Sequence, residues 1–205
     1  EQGMIALMFA NTPKAMAPWG GSQPVFGTNP IAFASPRAEA APLVIDLSLS
    51  KVARGKVMAA DKAGDSIPEG WALDQNGQAT TDPKAALAGS MVPLGDAKGA
   101  ALSLMVEILS ASLIGANHSF EATSFFEAEG APPGVGQMII AIDPQKFGGQ
   151  AFETRLSVLC SAILAQSGTR LPGASRGQKR QDARKNGINI PPYLRKEIED
   201  LIAHA

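Results

Sequence analysis

The chain has 205 residues, with 18 basic and 19 acidic side chains and a formal net charge of −1. Hydrophobic residues at 45% exclude a disordered tail, and near-neutral charge excludes a general nucleic-acid binder, which needs a basic excess for phosphates. A single cysteine and two histidines exclude an internal disulfide framework and a Cys-based zinc site.

The first element expected is a buried strand over 4–10, so close to Glu1 that a preceding segment of chain is expected. Asn11-Thr12-Pro13 breaks it, and a Pro- and Gly-rich loop follows to Pro30. Asn29 precedes that proline and is expected to be extended. Short strands over 31–34 and 43–45 flank a polar turn at Arg37-Ala38-Glu39. Strand alternation then puts Asp46, Ser48 and Ser50 on one face and Leu47 and Leu49 on the other. Ser50 is expected to cap a helix over 51–63, stopped by Gly64.

Residues 65–97 read as loop, with a turn at Asp74-Gln75-Asn76-Gly77 and an N-cap at Asp82-Pro83. A long helix over 98–115 carries Leu102, Met105, Val106, Leu109 and Leu113 on one stripe. A strand over 137–143, a helix over 152–166, a basic segment over 170–187 and a last helix over 192–204 complete the chain. No apolar run reaches the roughly 20 residues that cross a bilayer. The class is α/β or α+β with a mixed sheet, in a reducing, cytoplasmic setting with no membrane and no nucleic-acid partner.

Chemistry is sparse in these patterns. The Gly-x-Gly-x-x-Gly spacing of a Rossmann crevice is absent, because Ile139 stands at the third position after Gly134 and Gly136. Asp74-x-Asn76-Gly77 fails as a calcium loop, since Ala85 stands where a bidentate Glu is required. Cys160 reads as a buried small hydrophobe and His118 as a helix-end residue. Asp46 with Ser48 divides evenly between a structural strand end and a ligand-facing edge. Lys98-Gly99 at a helix start suits an anion, and Arg176 in the basic segment suits a phosphate.

Several stretches, in order along the chain, resemble the malate/L-lactate dehydrogenase family of non-Rossmann NAD(P)-dependent oxidoreductases. They are Ala17-Pro18-Trp19-Gly20-Gly21, Phe26-Gly27-Thr28-Asn29-Pro30-Ile31-Ala32, Asp46-Leu47-Ser48-Leu49-Ser50 with Ala53-Arg54-Gly55-Lys56, and Ile67-Pro68-Glu69-Gly70-Trp71-Ala72. Thr80-Thr81-Asp82-Pro83, Pro93-Leu94-Gly95 leading to Lys98-Gly99, Val106-Glu107, Leu171-Pro172-Gly173 and Gly187-Ile188-Asn189-Ile190-Pro191 continue the series.

The resemblance implies an NAD(P)-binding mixed-sheet domain over 1–150. A helical segment over 151–205 would pack on an N-terminal part that this chain lacks. It implies NAD or NADP contacts at Thr28, Asp46, Leu47, Ser48, Lys98, Gly99, Gly173 and Arg176, with Trp19, Gly20 and Gly21 near the substrate and no metal. The implied reaction is hydride transfer to or from a 2-oxo or 2-hydroxy acid, or a cyclic imino acid, in a homodimer. The family's proton-donating histidine lies in the N-terminal part, and neither His118 nor His204 takes its place. Ala97, Ala174 and Ser175 depart from the family's usual aromatic and charged residues beside the cofactor. A separate N-terminal fragment would then complete the enzyme. The alternative is a non-catalytic nucleotide-binding or dimerisation remnant.

Overall fold

Apolar runs of strand length, cut by Pro, Gly and Asn, give short strands, and longer apolar periodicity gives helices. In the computed structural model, which describes residues 2–38, 40–127 and 129–203, the elements begin with β1 (Ile5–Ala10), β2 (Ile31–Ser35), β3 (Leu43–Leu47) and α1 (Arg54–Ala63). The middle holds β4 (Ala72–Leu73), β5 (Ala79–Thr80), α2 (Pro83–Ala88), β6 (Ser90–Met91) and α3 (Ala97–Ser110). The chain finishes with β7 (Gln137–Ile142), α4 (Ala151–Leu164), α5 (Ala174–Asn186) and α6 (Pro192–Ala203). Glu39 of the expected turn and His204 of the last helix lie outside the described residues.

Two sheets organise these elements, a larger one in the order β3-β2-β1-β7 and a smaller one in the order β5-β4-β6. Their ladders are antiparallel, and a parallel pairing occurs at the isolated bridge between Met16 and Met91. No Rossmann crevice can arise from this topology, because such a crevice needs parallel βαβ units. The α/β class with C-terminal helices stands. Phe9, Met16, Phe26, Leu49, Val57, Ile67, Met91 and Val106 form the core where the loop after β1, α1 and α3 meet.

Local signals hold where local chemistry decides. Asp74 Oδ1 accepts from the Asn76 and Gln78 amides and closes the β4–β5 turn. Asp82 caps α2 by accepting from the Lys84 amide at 3.0 Å, with Pro83 as the first helical residue. Gly64 ends α1 in the left-handed conformation.

Other expectations give way to tertiary partners. Helix α1 starts at Arg54 rather than residue 51, and Ser50 is no cap: its hydroxyl is buried and donates to Val52 O at 2.7 Å. The backbone of 49–51 instead pairs with 92–94, through Lys51 N to Val92 O and Leu94 N to Leu49 O. Strand alternation fails past Leu47, which is exposed while Leu49 is buried. Asn29 is not extended; its φ is 40°, a region asparagine tolerates better than most residues. The expected stripe of α3 is mostly outside. Leu102, Met105 and Leu113 are exposed, while Gly99, Ala100, Ser103, Val106, Glu107 and Ser110 face inward against β1 and β7. The 18-residue stretch Ala97–Ile114 is long and apolar enough to cross a membrane by length and composition, yet its inward face carries Ser103 and Glu107.

Candidate functional site

The two ends of the loop between β1 and β2 meet where Gly27 approaches Thr12. A Cβ on Gly27 would lie 2.2 Å from Thr12 O, so no other residue fits without moving backbone. That approach lets the Thr28 amide donate to Thr12 Oγ1 at 3.0 Å and sets the two hydroxyls 3.3 Å apart. Both threonines line a cavity of about 420 Å³. Ser48 past the end of β3, Lys14, and Arg54 with Gly55 at the start of α1 line it too. Ala122, Ser124, Phe125, Phe126 and Glu127 form the facing wall.

Arg54 sets the electrostatics. Its guanidinium donates to Lys14 O at 3.2 Å and Leu87 O at 3.0 Å, and its buried Nε has no hydrogen-bond partner among the described residues. No carboxylate pairs with it among the described residues. Burial pushes its pKa below the ordinary arginine value, which marks a charge that is short of water. A cation held by two carbonyls, sharing its cavity with three hydroxyls and ion-paired with no carboxylate among the described residues, can receive an anionic group.

The residues singled out from sequence fall into several places. Thr28 and Ser48 line the cavity. Asp46 lies on β3, an edge strand rather than a buried one, and is paired with Arg176. Arg176 Nη1 donates to Asp46 Oδ2 at 3.2 Å and Nη2 to Asp46 O at 3.1 Å. Gly173 begins α5 with a φ of 81°, and a Cβ there would lie 3.0 Å from Val44 O, so α5 meets the sheet edge closely. Leu47 is exposed next to that pair. Lys98 is exposed at the start of α3, and Gly99 lets the helix sit on Leu94, whose carbonyl oxygen would be 2.1 Å from a Cβ. Trp19 and Gly20 stand exposed on a turn that the Gly21 amide closes onto Pro18 O. None of Trp19, Gly20, Gly21, Lys98, Gly99, Gly173 and Arg176 lines the 420 Å³ cavity.

His118 is elsewhere. Its Nδ1 is 3.0 Å from Glu121 Oε2 and its Nε2 2.9 Å from Ser112 Oγ. It borders a separate, mostly apolar cavity of about 170 Å³. The His118 backbone amide and ring together hold the Glu121 carboxyl below its ordinary value. Among the described residues, no group of acids, histidines and cysteine is arranged to hold a metal. Sequence reasoning gave no role to Arg54, Thr12 or the buried Glu107. Both Arg54 and Glu107 stood inside the stretches that carry the family resemblance.

The malate/L-lactate dehydrogenase family model matches residues 1–199. A (2R)-3-sulfolactate dehydrogenase (NADP(+)) of Chromohalobacter salexigens is 55% identical over 205 residues, covering all of this chain and 60% of that protein. A Δ1-pyrroline-2-carboxylate/Δ1-piperideine-2-carboxylate reductase of Pseudomonas putida is 41% identical, over 98% of this chain and 60% of that one. The crystal structure of Δ1-piperideine-2-carboxylate reductase from Pseudomonas syringae superposes with a TM-score of 0.85 at 40% identity, covering 98% of this chain and 60% of that one. The chain thus spans about 60% of the length of the relatives it matches. With nearly its whole length accounted for by that model and those relatives, the chain belongs to the malate/L-lactate dehydrogenase family.

Proposed function

We propose that this chain forms the nicotinamide-cofactor side of an NAD- or NADP-dependent oxidoreductase acting on a 2-oxo or 2-hydroxy acid, or on a cyclic imino acid. The observation that carries the reading is Arg54, which among the described residues has no ion-pair partner and no partner for its buried Nε, in one cavity with the Thr12, Thr28 and Ser48 hydroxyls. Those groups fit the phosphate and hydroxyl groups of a dinucleotide or the carboxylate of its substrate. A bound nicotinamide supplies the hydride chemistry.

This chain's own residues do the holding. Arg54 attracts the anion, the paired threonines orient a hydroxyl or carboxylate oxygen, and Phe125 and Phe126 give one wall apolar surface. The Asp46–Arg176 pair at the edge of β3 offers a second polar contact for the cofactor, with Leu47 beside it. Reduction of a carbonyl or imine also needs a proton for the developing alkoxide or amine. Among the described residues, the cavity lining contains no histidine. In this reading the donor comes from the part of the longer relatives that the chain does not match. The exposed apolar residues of α3 and α6, Leu104, Ile108, Leu201 and Ile202 among them, are then surfaces for that part and for a second copy. The protein would work in the cytoplasm.

The test is a fluorescence titration of the 205-residue chain with NADPH and NADH. Saturable binding is expected, weakened by about tenfold or more in Arg54→Met, the scale of one lost charged hydrogen bond. Equal affinity in the variant would remove the cavity as the binding site.

A further inference from the structure

Glu107 is 4% exposed in the middle of α3, and no cation pairs with it among the described residues. It is instead the meeting point of neutral donors from two separate loops. Asn29 Nδ2 donates to Glu107 Oε1 at 2.7 Å and to Ser103 O at 3.1 Å. The Ser119 amide donates to Glu107 Oε2 at 3.1 Å, and the Ser119 hydroxyl donates to Oε1. Asn29 Oδ1 accepts from the Thr12 amide and from the Ser119 hydroxyl, each at 3.4 Å.

The cavity described above hangs from these two loops. Thr28 is the neighbour of Asn29. Ser119 begins the tight turn, closed by the Glu121 and Ala122 amides on His118 O, that leads into the wall at Phe125 and Phe126. A buried carboxyl group is costly unless its oxygens are satisfied, and here both oxygens accept from groups that fix cavity walls. A glutamine would keep the shape but present only one acceptor oxygen to three donors.

We infer that Glu107 is a positioning residue. It latches the Thr28 loop and the 119–127 wall to one point on α3 and so sets the width of the ligand cavity. The inference rests on the reading of that cavity as the cofactor site.

The experiment is hydrogen exchange by mass spectrometry on the whole 205-residue chain and on Glu107→Gln, with NADPH titration well below both melting temperatures. Losing one buried hydrogen bond is expected to speed exchange about tenfold in the peptides around 27–30 and 119–127 together, while α1 is unchanged. The NADPH dissociation constant is expected to rise by a similar factor in a molecule that remains folded. A purely structural role would speed exchange uniformly or around residue 107 alone, and either pattern overturns the inference. Unchanged affinity with both walls loosened overturns it as well. Ser119→Ala, which removes one donor, gives the same two-wall pattern at smaller amplitude and serves where Glu107→Gln does not fold. If the unsubstituted chain binds no NADPH, the cofactor reading falls by itself. The latch is then decided by exchange, where loosening of one wall only counts against it.

Discussion

The middle of this chain and its C-terminal helices use similar apolar residues at similar spacings, with opposite results. From Phe9 to Val106 those residues close around Met16, Leu49, Val57 and Met91, which are nearly inaccessible. Beyond Ala122, the hydrophobic residues buried among those described are Cys160 and Leu171. Helices α5 and α6 bury no residue at all, and Val158, Leu159, Leu201 and Ile202 are exposed. Amphipathic periodicity states that a face wants a partner; it does not say where the partner is. In the middle region the partner is a neighbouring segment of the same chain. Two ion pairs tie the C-terminal helices to that region, Arg176 with Asp46 and Lys62 with Glu197.

The sharpest way to break this contrast is to remove one leucine from each region. Leu49 is 1% exposed, and Leu49→Ala is expected to cost about 2–5 kcal/mol in chemical denaturation. Leu201 is 72% exposed, and Leu201→Ala is expected to fall within about 0.5 kcal/mol of the parent chain. A comparable loss at Leu201 would mean that α6 is covered in solution, and the contrast would belong to the isolated protomer only.

The same contrast explains how much of the fold is legible in the sequence. Turn and cap signals act over two to four residues, so Asp74, Asp82 and Gly64 were legible from their neighbours. The start of α1 was not, because pairing of 49–51 with 92–94 competes with the helix and turns Ser50 inward. The inward face of α3 was hidden for a related reason. Its small residues allow close approach to β1 and β7, and the partners of Glu107 lie 12 and 78 residues away in sequence. The larger apolar residues on its other side drew attention to the wrong face. Of the candidate site, family resemblance supplied Thr28 and Ser48, which share the cavity. It gave Arg54 no role, since a lone arginine at a helix start has no local mark of being unpaired.

A smaller effect probes the same division between local and distant control. The Asp82 cap is local and exposed, so Asp82→Ala is expected to cost about 1 kcal/mol, with the amide of Lys84 losing its acceptor. Denaturation should show this as a shifted midpoint at unchanged slope, because no surface is newly exposed. A change of slope would mean that α2 depends on its cap to stay packed on α1 and the small sheet.

The smallest effect concerns one of the contacts that join the two regions. Lys62, in the last turn of α1, donates to Glu197 of α6 at 2.6 Å and lies 5.8 Å from the Tyr193 ring centroid. The hydrogen bond to Glu197 holds the Lys62 pKa above its ordinary 10.5. A raised lysine contributes stability that is complete below its unfolded value and is lost as pH rises through the folded one, so the tether persists through the neutral range. Both side chains are open to solvent, and the pair is expected to matter for where α6 lies rather than for how stably the core folds. Lys62→Met should leave the main unfolding midpoint unchanged while amides of α6 exchange faster, and 1 M salt should produce the same shift in the parent chain. Unchanged exchange in both cases would mean that α6 is held by its apolar face after all, and the two regions would then differ in the partner they use rather than in whether they have one.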